Sequence, residues 1–338
     1  MKFNFNKPKE QQGKRKAVGL DIGTGYIKLV VVRDDHGQAA LDNFYLAPLS
    51  KNIAQDLSQA ADELQISQAA VNIALSGPAT IVRNLWMPRM KPDELKASLK
   101  YELDQYVPFP LEDIYYDCCV LEDGPANGKE GQMRVVLTVV KKKFLDERLQ
   151  QVQQAGLAPE VISVDAVSLY NAYEKSMPEE GAAGLVDLGS RKTIINIISG
   201  NILMFTREIE YGTMQIRKAV SRGLEVDNRE AEKLICSRDE KTSQWVRELG
   251  FKLGRELWSS FEYHEHQEQK PVEKVYITGG GSLLPELMSS LGSTVGIPIA
   301  VWEPATKLPT GISDNQKQRL RANAPLFGIA AGLAYRSI

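Results

Sequence analysis

The chain has little of what builds covalent or metal frameworks. Its three cysteines are Cys118, Cys119 and Cys236. The first two are adjacent, which argues against a bridge between them, and the third stands alone, so no disulfide framework or zinc-type spacing emerges. The three histidines, His36, His264 and His266, lack the additional nearby ligands a metal site needs. The run HEH at 264–266 reads instead as an exposed helix end ahead of the polar QEQK. No stretch approaches the roughly 18 apolar residues of a membrane span, and the N-terminus has no apolar signal-peptide core. A cytoplasmic protein without direct membrane insertion is the expectation. An excess of one charge is missing too: 41 Lys and Arg face 43 Asp and Glu, for a net charge of −2. Nothing global therefore draws the chain to nucleic acid or anionic lipid.

What is present is ordinary globular composition at a length of 338 residues, enough for two domains that each bury a core. Residues 1–16 carry six basic side chains against Glu10 and show no apolar periodicity, which reads as a disordered basic tail. The same charge suits a weak contact with a membrane surface.

Along the chain, AVGLDIG and YIKLVVV read as two strands joined by a Gly-rich turn, NIAQDLSQAADELQ as a helix, and VNIALSG as a buried strand. A segment of different character follows. DELKASLKYELDQYV places Leu95, Leu99, Leu103 and Tyr106 on one helical stripe, with Pro92 in its first turn and Pro108 and Pro110 beyond it. IYYDCCVL and MRVVLTVV read as strands around the loop EDGPANGKEG, and KKKFLDERLQQVQQAG as a helix, which makes a small α+β insert. SMPEEGAAG at 176–184 reads as an interdomain linker. The second half then repeats the grammar of the first: an apolar strand, Asp187-Leu188-Gly189, a polar turn and a β-branched strand. Internal duplication is the simplest account.

An Asp at a strand end followed by a glycine turn has a chemical use. Glycines let backbone N–H groups approach a phosphate, and the carboxylate holds Mg²⁺ directly or through water. One such turn equally suits a plain hairpin. Two copies, followed by a strand that runs into Gly279, Gly280 and Gly281 ahead of a helix, favour a nucleotide site, with the helix N-terminus as the anion end. Tight strand–helix packing is the other use of the glycine triplet.

DIGTGYIK, DLGSRKT and ITGGGSLLP, in that order, resemble the two phosphate motifs and the adenosine motif of the actin-like ATPase superfamily, and the resemblance covers nearly the whole chain. It implies an α/β fold of two duplicated ribonuclease-H-like domains that clamp ATP or ADP with Mg²⁺. By position in the motifs, Asp21 faces Mg²⁺, Gly23, Thr24, Gly25 and Tyr26 wrap the phosphates, and Lys28 reaches them. Asp187, Gly189 and Ser190 oppose them, with Asp187 also on the metal through water, and Gly279, Gly280, Gly281 and Ser282 meet the adenosine. Asp165 falls where relatives orient the attacking water; a helix N-cap is its alternative role. Glu232 matches a ribose-contacting Glu, but the Lys expected three residues on is Ile235. The second turn carries Ser190, Arg191 and Lys192 where many ATPases have glycines, so binding is expected more firmly than hydrolysis.

The insert narrows the resemblance to the FtsA-like branch. LKYELDQYVPFPLEDIYYD is similar to the signature of the PilM family of type IV pilus platform proteins, through Glu102, Tyr106, Val107, Pro108 and Phe109. That resemblance implies a cytoplasmic ATP-binding scaffold, peripheral at the inner membrane. It would bind the N-terminal cytoplasmic peptide of a PilN-like membrane protein in a groove between the first domain's core and the insert, and couple to pilus motor ATPases. Leu99, Leu103 and Tyr106 are candidates for that groove, with core packing as their alternative. The rival readings are an active ATPase, a filament former like FtsA, whose C-terminal amphipathic anchor is not found here, and the soluble part of a type II secretion platform protein. The implied domains are 17–180 with the insert at about 78–160, 181–322, and a helix at 323–338 returning to the first.

Overall fold

The computed structural model describes residues 16–35, 38–123, 131–176 and 181–337. The basic tail up to residue 15, His36 and most of the loop EDGPANGKEG lie outside these residues. The chain divides into two units, the first taking in Met1–Pro178, Ala305–Ala322 and Ile329–Ile338, the second Glu179–Pro304 and Asn323–Gly328.

The first unit opens on an antiparallel meander, β1 (Lys16–Ile22), β2 (Tyr26–Asp35) and β3 (Gln38–Pro48). Helix α1 (Ile53–Leu64) starts where the Asn52 side chain accepts the Gln55 N–H at 3.2 Å and stops where Gln65 turns left-handed at φ 54°. Strand β4 (Ala70–Leu75) then lies parallel to β1. The insert follows: β5 (Thr80–Pro88), α2 (Pro92–Tyr106), β6 (Ile114–Asp123) and β7 (Gln132–Lys141). Its antiparallel sheet has the order β5-β7-β6. Helix α3 (Lys142–Gln154) leaves β7 without a break, β8 (Ala158–Val164) joins the main sheet parallel to β4, and α4 (Asp165–Ser176) follows. The main sheet has the order β3-β2-β1-β4-β8.

Alternation on β1 sorts the two faces of that sheet. Val18 and Leu20 enter a core with Leu57 and Ala61 of α1 and Leu145, Leu149 and Val152 of α3. Gly19, between them, meets the opposite layer, where a Cβ would lie 2.0 Å from the Ala330 carbonyl oxygen.

The second unit repeats the plan. Strands β9 (Ala182–Leu188), β10 (Thr193–Ser199) and β11 (Ile202–Ile209) form the meander, helices α5 (Met214–Gly223), α6 (Asn228–Cys236) and α7 (Ser243–Glu268) follow, and β12 (Lys274–Thr278), α8 (Pro285–Val295) and β13 (Ile299–Val301) complete it. The order β11-β10-β9-β12-β13 matches that of the first sheet, antiparallel for the meander and parallel beyond it. Helices α9 (Asp314–Asn323) and α10 (Gly328–Tyr335) close the described chain.

Several elements depart from the sequence reading. Strands β3, β5 and β13 and helix α9 have no counterpart in it: Asp, Asn and Arg side chains interrupt the apolar alternation of β3 and β5, β13 is only three residues long, and α9 has almost no apolar residues to set a period. Ala182–Gly184 is strand, not linker. His264 is buried, because it sits on the core side of a helix that continues to Glu268. Residues 305–322, read with the second domain, group with the first unit, where Thr310 bridges to Leu41.

Helix α10 packs at backbone distance: a Cβ on Gly332 would lie 1.7 Å from the Ser168 carbonyl oxygen, whereas one on Gly311 meets nothing within 4 Å. Gly332→Ala is expected to cost about 3 kcal/mol, because backbone and not side chain must yield. Gly311→Ala is expected to stay within about 0.5 kcal/mol. Chemical denaturation midpoints of the two variants check the contrast.

Candidate functional site

In each sheet the strands that run parallel bring their carboxyl ends to one edge, the usual site of ligand binding in such sheets. In the first unit that edge carries the ends of β1 and β8, and with them Asp21 and Asp165. The turn from β1 to β2 closes through the Gly23 N–H, which donates to the Tyr26 carbonyl at 3.0 Å, and the Gly25 carbonyl accepts the Leu49 N–H at 2.9 Å. Asp21 and Lys28 are register partners across the hairpin, and the Lys28 ammonium donates to Asp21 Oδ2 at 2.5 Å. Asp21 is 4% exposed, so this is a buried ion pair. A Cβ on Gly23 would come within 3.1 Å of Lys28 Nζ, whereas one on Gly25 meets nothing within 4 Å. Thr24 and Tyr26 are exposed. The turn therefore offers open backbone beside a fixed cation, an arrangement that suits an anion.

Asp165 is the first residue of α4 and is buried. Sequence reasoning misses its electrostatic neighbour, Arg148 on α3. Burial pushes the Arg148 guanidinium down from its ordinary value, and the charges of Asp165 and Asp21 pull it back up. Its Nη1 donates to Gln151 at 3.2 Å. Helical spacing does put Arg148 on the flank of the Leu145–Leu149–Val152 stripe, but no local signal says which strand end that flank faces.

In the second unit Asp187, near the end of β9, is the register partner of Thr278 at the end of β12. The turn after Asp187 is held from outside: the Gly189 and Ser190 carbonyls accept the Thr213 and Met214 N–H groups at 3.1 and 2.7 Å. Lys192 is engaged with Glu208 at 3.2 Å, and Arg191 is exposed. The glycine triplet divides its labour. Gly279 has φ 85° and no room for a Cβ, which would fall 2.5 Å from the Leu188 carbonyl oxygen. Its carbonyl accepts the Ser282 hydroxyl at 2.8 Å, and Gly281 is buried. Gly280 alone of the three is exposed with nothing within 4 Å of a Cβ. Both uses of the triplet are thus represented: packing at Gly279 and Gly281, open backbone at Gly280. Glu232 is exposed on α6 and lies 3.5 Å from Arg217.

No group of three His, Cys, Asp or Glu side chains able to hold a metal occurs among the described residues.

In the insert, burial decides between the two readings of the α2 leucines. Leu99 and Leu103 are buried beneath its sheet, Leu99 with Met133 and Val135 and Leu103 with Leu137 and Val139. They are core residues, because α2 needs that stripe to cover the odd-numbered face of β7. Tyr106 remains half-buried and donates its hydroxyl to Glu102 at 3.3 Å. The PFPLED loop after it is held by the start of α3: Lys141 stands over the Phe109 ring at 4.2 Å, and Lys142 donates to the Glu112 carbonyl at 2.5 Å. The other face of β7 carries Arg134, Val136, Thr138 and Val140, and Val140 reaches the core of the main sheet. On this face the Thr80 and Thr138 hydroxyls and the Gln132 amide oxygen are buried without a hydrogen-bond partner. Arg134 stacks on Trp86 at 4.3 Å, and Trp86 is partly exposed.

Two sheets of identical strand order, each ending in an Asp-bearing turn, define an actin-like ATPase fold. The chain belongs to the family described as type IV pilus assembly protein PilM, whose family model it matches over residues 19–338. Among solved structures it is similar to the PilM–PilN type IV pilus biogenesis complex, at 25% identity and a TM-score of 0.83, over 96% of this chain and 99% of that one. It shares the fold of the ethanolamine utilization protein EutJ from Carboxydothermus hydrogenoformans, at 15% identity and a TM-score of 0.55, over 96% and 90% of the two chains. Among the described residues no helix is long and apolar enough to cross a membrane.

Lys28→Met strips the nearest cation from a buried carboxylate and is expected to destabilise the protein by about 3 kcal/mol. The double variant Asp21→Asn/Lys28→Met is expected to regain most of that loss, since neither member of the pair is then left buried and charged without the other. Urea titrations of the three proteins test the pair.

Proposed function

We propose that this chain is a nucleotide-binding scaffold of the type IV pilus platform, and that it captures the N-terminal cytoplasmic peptide of a PilN-like inner-membrane protein. Through that partner it would sit at the inner membrane and couple to the pilus motors. The observation that carries the reading is the even-numbered face of the insert sheet. It combines buried hydrogen-bonding atoms without partners, an Arg and a half-exposed Trp, the composition of a site for an extended peptide. Similarity to a PilM–PilN complex over 96% of the chain supports the same partner.

For the nucleotide, the support is the Gly23–Gly25 backbone beside Lys28 in one unit and the Gly280 turn in the other. In this reading Lys28 and the N–H groups of the first turn hold phosphate oxygens of ATP or ADP, and Asp21 keeps Lys28 in place. The open backbone at Gly280, with Ser282 bracing its turn, takes the nucleoside side, and Glu232 reaches toward the ribose. Magnesium, when bound with the nucleotide, would supply charge neutralisation, and Asp21 and Asp187 are the carboxylates that would hold it through water. Hydrolysis is read as weak or absent. Asp165 is buried at the start of α4 within the field of the Arg148 cation, and the second turn, at Gly189 and Ser190, is tied by its carbonyls to the start of α5. Nucleotide would act by favouring one of two conformations with different peptide affinity.

Trp86→Ala is expected to weaken binding of a fluorescent PilN-type N-terminal peptide at least about tenfold, the scale of an aromatic hot spot, with thermal stability little changed. Anisotropy curves that superimpose on wild type would remove the peptide from this face. Gly25→Asp places a carboxylate in open space at the phosphate turn, and calorimetric titration with ATP or ADP is expected to show affinity reduced more than about tenfold. An unchanged affinity would refute the placement of phosphate at this turn.

A further inference from the structure

Few large apolar side chains are exposed among the described residues, and three of them, Phe251, Trp258 and Tyr263, stand on the single helix α7. Tyr263 is occupied, its ring centroid 5.7 Å from that of Phe205 on the edge strand β11. Phe251 and Trp258 are 48% and 45% exposed. They are seven residues apart, so they lie on one stripe two turns apart. One turn outward at each end stands a charge of opposite sign, Arg247 before Phe251 and Glu262 after Trp258, both exposed. With Arg255 exposed between the two aromatics, the stripe reads cation, aromatic, cation, aromatic, anion.

We infer that this stripe is a contact between two copies of the chain, with their α7 helices antiparallel. A two-fold axis passing between positions 254 and 255 sets Phe251 against Trp258 of the second copy and Arg247 against its Glu262, and the same pairs recur on the other side of the axis. The stripe is self-complementary only in this reversed sense, because a parallel pairing would oppose like charges. The two Arg255 side chains, exposed near the axis, bring like charges together there, a cost that stacking on the Trp258 rings offsets and that helps to keep the dimer weak. Antiparallel helices also align their dipoles favourably. From Arg247 to Glu262 the contact runs about 22 Å, which makes it smaller than a standard interface, and the dimer is correspondingly weak. The inference uses residues of the second unit alone and is independent of the nucleotide and peptide readings.

Sedimentation velocity of the full chain over about 1 to 200 µM tests it, with circular dichroism confirming that each variant folds. Wild type is expected to pass from monomer to dimer across this range. Arg247→Glu and Glu262→Arg are each expected to weaken the dimer at least about fivefold, since like charges then face each other. The double variant Arg247→Glu/Glu262→Arg is expected to return to within about twofold of wild type. Trp258→Ser is expected to stay monomeric. Wild-type protein that remains monomeric at the highest concentration overturns the proposal, as does a double variant no stronger than its parents.

Discussion

The close approach of backbones around α10 is the constraint on which the first unit rests. Gly19 on β1 and Gly332 on α10 let strand and helices meet at distances no side chain permits. Asn72 of β4 donates to the Leu333 carbonyl and to the Ser337 hydroxyl, each at 2.8 Å. Because β1 is pinned on this face and packed by Val18 and Leu20 on the other, its end is fixed, and Asp21 two residues after Gly19 is fixed with it. The second unit uses the same device at another place. Gly279 approaches the end of β9 at backbone distance and donates its N–H to the Pro325 carbonyl at 2.7 Å. In both units, a close-packed glycine sets where the Asp-bearing turn lies.

The insert is joined to this frame by one rigid element. Helix α3 begins on the last residues of β7, holds the PFPLED loop through Lys141 and Lys142, buries Leu145 and Leu149 in the main core, and carries Arg148 toward Asp21 and Asp165. The residues that resemble a family signature thus serve the local structure as well, since Tyr106 braces Glu102 and Phe109 receives Lys141. One helix thus links the loop of the insert to the cation whose charge Asp21 and Asp165 support, so the two cannot shift independently.

Much of the fold was legible because its strongest signals are local. The two Asp-Gly turns, the helix with Pro92 in its first turn and the glycine triplet follow from rules that operate within a few residues, and the repetition of the first turn revealed the duplication. What escaped depends on tertiary placement. Leu99 and Leu103 form a stripe whether they face a peptide or a sheet, and only the strand order of the insert decides for the sheet. Arg148 is an ordinary helix residue until β8 brings Asp165 beside it. The Arg134–Trp86 stack needs the β5–β7 register, and β5 itself was hidden by Arg83 and Asn84 in its middle.

The return of the chain to its starting unit has a consequence for biosynthesis. The bonds from Asn72 to Leu333 and Ser337 span more than two hundred and fifty residues, and Leu41 waits in the same way for Thr310. The second unit, too, needs Pro325 to complete the turn at Gly279. Neither unit can finish folding on the ribosome until residues 305–337 have emerged, so the two cores mature together, late, through contacts of high sequence separation, the slow class of folding reaction. During translation the β1 face that later meets α10 stays uncovered, which makes the nascent chain a natural client for chaperones that shield apolar sheet surface.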